Sequence, residues 1–105
     1  MSYYFNKTVP GAFNDVVERT KAALQKNGFG VLTDIDIQAT LKSKLDVAFR
    51  PYRILGACNP PLAHAALQAE DKIGVMLPCN VIVQDLGDGR IEVAAINPAA
   101  AMQQI

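Results

Sequence analysis

The sequence has no surplus of positive charge: ten Lys plus Arg balance ten Asp plus Glu across 105 residues. Nucleic-acid binders need Lys and Arg for phosphate contacts, so a nucleic acid is not expected as a partner. No apolar run approaches the roughly 20 residues that cross a bilayer. The opening Met1-Ser-Tyr-Tyr-Phe-Asn-Lys lacks the basic leader and apolar stretch of a signal peptide. The expectation is a cytoplasmic protein with no membrane partner. Cysteine is scarce, with only Cys58 and Cys79, and they do not form the Cys-x-x-Cys of common redox and zinc sites. In a reducing compartment both are free thiols. Gly-x-Ser-x-Gly, the P-loop, G-x-G-x-x-G and His-Glu-x-x-His are all missing. Charged residues are few as well, 19% against 50% hydrophobic, which excludes a disordered chain.

What is present suits one domain spanning residues 1–105. A chain of this size buries roughly 60–70% of the surface it exposes when unfolded, so it needs no disulfide or structural metal to fold. A net charge of zero weakens self-repulsion, which favours a homodimer.

The periodicity changes several times along the chain. Tyr3, Phe5 and Val9 fall on alternate positions and predict a strand, ended by Pro10-Gly11. From Ala12 to Asn27 the apolar residues Phe13, Val16, Val17, Thr20, Ala23 and Leu24 recur at helical spacing, and Asn27-Gly28 is a helix stop. Phe29, Val31, Thr33 and Ile35 alternate as a second strand. Asp36 is placed to cap a short helix presenting Ile37, Leu41 and Leu45. Tyr52 to Cys58 reads as a third strand. Asn59-Pro60 opens a helix with Asn as cap and Pro in the first turn, running to about Asp71.

After the apolar Ile73–Leu77 and Pro78, Cys79 to Leu86 reads as a strand. Gly87-Asp88-Gly89 turns the chain, and Ile91, Val93 and Ala95 return it as the second arm of an antiparallel hairpin. Asn97-Pro98 repeats the helix-start signal for a short last helix. The order β-α-β-α-β-α-β-β-α, with a hairpin and short connections, predicts an α+β fold. Its sheet is mainly antiparallel, of about five strands, with helices packed on one face.

Cys58 is the most suggestive residue for chemistry. It sits at a strand end just before a helix start, where free backbone N–H groups and the helix dipole favour a thiolate. A packed, inert thiol is the plain alternative. Cys79 also opens an element and is also followed by Asn. If the two strand ends are neighbours, Cys58, Asn59, Cys79 and Asn80 converge on a small pocket. Such a pocket suits a soft metal held by Cys58 and Cys79, a sulfur species or a small polar ligand; a zinc site would need two further ligands.

Other candidates read as structural. His64 points away from the apolar face Leu62, Ala65, Ala66 and Ala69 of its helix, so it is expected in solvent rather than as a base for Cys58. Asp34 and Asp36 are two apart and could pair on a metal; marking a strand exit and capping the next helix is the simpler role. Gly28-Phe29-Gly30 follows a helix, where a dinucleotide motif would follow a strand. Tyr52 and Arg53 could recognise an anion but read as a strand edge.

The runs Tyr52-Arg-Ile-Leu-Gly-Ala-Cys58-Asn59-Pro60-Pro61, Leu77-Pro78-Cys79-Asn80-Val81 and Ile96-Asn97-Pro98 through Met102, with Gly28-Phe29-Gly30-Val31-Leu32-Thr33, resemble the domain of unknown function 302 family. The two Cys-Asn pairs are the most specific part. The resemblance implies a small α+β domain of the TATA-binding-protein-like class, with helices on a curved sheet, and it carries no assigned reaction or cofactor to these residues. Three functions stay open: a small binding module built on Cys58 and Cys79, a structural or dimer-forming domain whose cysteines pack, and a thiol-based redox or sulfur-transfer enzyme.

Overall fold

The computed structural model describes residues 2–97. The predicted helix from Asn97-Pro98 lies outside them. The elements are β1 (Tyr4–Pro10), α1 (Phe13–Lys26), β2 (Gly30–Asp36), α2 (Ile37–Leu45), β3 (Tyr52–Cys58), α3 (Pro60–Ala69), a short 3-10 helix (Asp71–Met76), β4 (Cys79–Gly87) and β5 (Arg90–Ile96). The α+β class and the antiparallel five-stranded sheet expected from the sequence are both present.

Local chemistry sets most boundaries. Gly28, at a φ of 87°, ends α1 in a conformation that side chains resist. Asp36 caps α2, its carboxylate accepting from Ala39 N–H at 2.9 Å. Asn59 caps α3, its Oδ1 accepting from Leu62 N–H at 3.2 Å, with Pro60 and Pro61 in the first turn. The β4–β5 turn uses left-handed residues at Gly87, Asp88 and Gly89, matching the twist of a hairpin.

The strands lie in the order β1-β5-β4-β3-β2, every neighbouring pair antiparallel. The edges β1 and β2 therefore run in the same direction, and α1 joins them by crossing one face of the sheet. Val16 and Val17 of α1 pack there against Leu55, Val81, Val83 and Ile91, all buried. In β3, β4 and β5 alternate residues thus face α1, and the residues between them face the opposite, open side.

Two local expectations change. Strict alternation would put Phe29, Val31, Thr33 and Ile35 on one side of the sheet. A bulge at Leu32 breaks the alternation, since Val31 pairs with Ala57 but Thr33 with Gly56. Thr33 and Ile35 move to the open side, and Asp34 turns toward α1. The expected inner face of α3 changes too. Leu62, Ala65 and Ala69 are exposed, while Ala63 and Ala66 are half-buried. In a helix rich in small apolar residues the pattern does not single out one face.

Candidate functional site

The register decides what the four sequence candidates share. Ala57 pairs with Cys79 and Gly56 with Asn80, so the ends of β3 and β4 are neighbours. Pleating then separates the side chains. Cys79 lies opposite Ala57, which is 2% exposed on the α1 side, and Cys58 and Asn80 belong to the open side. Both thiols are free and half-buried. Asn59 is engaged as the cap of α3. Cys58 and Asn80 thus share a face, while Cys79 sits on the other. Among the described residues no group of three or more His, Cys, Asp and Glu is arranged to hold a metal ion.

The remaining candidates have structural partners or face solvent. His64 is exposed on α3. Asp36 is a helix cap. Asp34 bridges two elements, with Lys21 Nζ of α1 at 2.8 Å and Arg53 Nη1 of β3 at 2.6 Å. Arg53 is therefore committed to an internal partner, not to an external anion. Burial pushes the Asp34 carboxyl up, but hydrogen bonds from Lys21 and Arg53 and the attraction of both cations outweigh it. The carboxyl is left below its ordinary value.

A depressed carboxylate stabilises the fold above its unfolded-state value of about 4 and loses that contribution as pH falls through the folded-state value. Asp34→Asn is expected to cost about 1–2 kcal/mol at pH 7, with the difference from the parent shrinking below about pH 4. Urea melts at pH 7 and pH 3 check both parts, and an equal difference at the two pH values would contradict the assignment.

The open side carries a groove that no sequence motif marks. This groove of about 420 Å³ is lined by strand residues together with Tyr3, just ahead of β1. Its floor is apolar, from Ile82, Ala94 and Ile96, and Tyr4 and Tyr52 contribute aromatic walls. At one end stands Glu92. Gln84 Nε2 donates to Glu92 Oε1 at 2.7 Å, and Asn6 Nδ2 donates to Oε2 at 3.0 Å. Both partners are neutral amides, and among the described residues no cation pairs with this carboxylate. Asn80, one of the sequence candidates, lies on the groove wall toward Cys58.

A signal for this face exists in the sequence. Ile82 lies between Val81 and Val83, Ala94 between Val93 and Ala95, and Ile54 beside Leu55. Strands apolar on both sides mark a sheet with something to bury on each face.

The domain of unknown function DUF302 matches residues 5–105 of the chain. The crystal structure of an uncharacterized conserved protein DUF302 from Bacillus stearothermophilus superposes with a TM-score of 0.89 at 27% sequence identity, covering 99% of this chain and 80% of that one. No curated protein matches.

Proposed function

This chain belongs to the DUF302 family, and from its geometry we propose that it is a binding module whose ligand occupies the groove on the open side of the sheet. The observation that carries the reading is the trough itself. It joins an apolar floor to a few polar groups, Gln84 and Glu92 at one end and Asn80 across from Ile96 at the other, and an apolar trough with a few placed polar groups is the usual make-up of a small-molecule site. A ligand there has an apolar body and a polar end.

Cys58 belongs to this reading as the thiol that shares a face with Asn80. A soft metal or sulfur species would engage Cys58, and Cys79 contributes only from the opposite face. The other reading is self-association. It draws on exposed apolar side chains such as Leu62 and Val75, 67% and 89% exposed, and it gives no role to the Asn6–Glu92–Gln84 network.

A backbone-amide NMR screen of small polar organic compounds and soft metal ions tests the proposal. Organic hits are expected to shift the amides of Ile82, Gln84, Glu92, Ala94 and Ile96 together. Hits confined to other surfaces, or a metal response that needs both thiols, would overturn it.

A further inference from the structure

Resting on the groove reading, we propose that the ligand is an organic ammonium: a cationic head group seated at Glu92 and an apolar tail lying along Ile82, Ala94 and Ile96 toward Tyr4. An ionised carboxylate offers about four lone-pair sites. Asn6 and Gln84 fill two of them with neutral amide donors, one on each oxygen. These bonds fix the orientation of the group without cancelling its charge. Arg90, two residues back along the same strand, is exposed and makes no ion pair with it. A net negative centre is thus held in place at the end of an apolar trough, and a cationic donor completes it with a charge-assisted hydrogen bond.

The surroundings suit an ammonium on a hydrocarbon. Tyr52 pairs with Gln84, which pairs in turn with Glu92, so an aromatic ring stands two strands from the carboxylate in the same row. Ring faces attract ammonium groups. From Glu92 the floor continues through Ala94 to Ile96, which pairs with Tyr4. Four residues of strand span about 13 Å, enough for an extended chain of six to eight carbons. Tyr3 and Tyr4 close that end as an edge-to-face pair with centroids 5.1 Å apart.

The same charge argues against a second copy of this chain as the occupant. A symmetric face-to-face pair would bury two Glu92 carboxylates in one apolar interface, and taking charge out of water is costly even where a cation such as Arg90 is brought to it. A carboxylate or phosphate ligand meets the same repulsion.

The experiment is an NMR titration of the full chain with hexylammonium, hexanol and hexanoate at equal ionic strength. Hexylammonium is expected to shift the groove amides and to bind at least about tenfold more tightly than hexanol, with hexanoate weakest. Glu92→Gln, nearly the same shape, is expected to bring hexylammonium down to the level of hexanol and leave hexanol unchanged. Ala94→Leu, which fills the floor away from the carboxylate, is expected to weaken both.

Equal binding of hexylammonium and hexanol in the groove would overturn the ammonium and leave the groove reading standing. Absence of groove shifts with all three ligands would overturn both. Sedimentation of the parent and Glu92→Gln chains adds a third arm, since a dimer that tightens on removing the charge would make the second copy the occupant and overturn the proposal.

Discussion

Leu55→Ala is expected to lower the unfolding free energy by about 3 kcal/mol, within the 2–5 kcal/mol typical of large-to-small changes in a core. Leu55 is fully buried at the middle of β3. It lies in the core cluster where α1 meets the sheet, with Val16 and Val17 above it and Val81 and Val83 beside it on β4. Its neighbours belong to rigid elements on two layers, so they cannot close over the missing side chain, and a cavity term adds to the lost transfer energy. For a domain whose total stability is about 5–15 kcal/mol, the urea midpoint should fall by a fifth or more. A loss under about 1 kcal/mol would mean that β3 does not carry the core.

Gly56→Ala is the second large effect, and its cause is the reverse: too much matter rather than too little. An alanine Cβ at Gly56 would collide with Thr33 Oγ1 on β2 and lie 2.8 Å from Pro78 Cγ. The bulge at Leu32 places Thr33 over Gly56, and the Pro78 ring cannot rotate away. Overpacking of this kind costs about 1–3 kcal/mol, with the upper half of that range expected here because neither neighbour is a flexible chain end. The double variant Gly56→Ala, Thr33→Ala should recover part of the loss. Glycine inside a strand ordinarily weakens it, so a thermal melt in which Gly56→Ala raises Tm would contradict this close approach.

Much of this architecture is legible in the residues. Asn59-Pro60 and Asp36 each place a helix start, because a capping side chain and a proline act within one turn of chain. Gly87-Asp88-Gly89 places the hairpin for the same local reason. The side on which Asp34 lies is not legible, since it depends on a one-residue bulge that β3 imposes from another part of the chain. Nor does the spacing of Cys58 and Cys79 reveal that they fall on opposite faces, which follows from the register of β3 with β4. The two cysteines stand out because the residue type is rare in this chain. The Glu92 groove is made of common residues, Asn, Gln, Glu, Ile and Tyr, from β1, β3, β4 and β5 and the residue ahead of β1, and only pairing brings them together.

The strand order also decides how the sheet can assemble. The first two strands to be synthesised become its outer margins and never pair with each other, and Tyr4 waits for Ile96. Nucleation is expected from the β4–β5 hairpin, with β3 joining it across α3, and bringing β1 home means closing a loop through nearly the whole chain, an entropic cost met only late. β1 is also thinly anchored, with Val9 alone of its residues half-buried. It should be the last strand to lock and the first to peel away, exchanging its amide hydrogens ahead of the centre of the sheet.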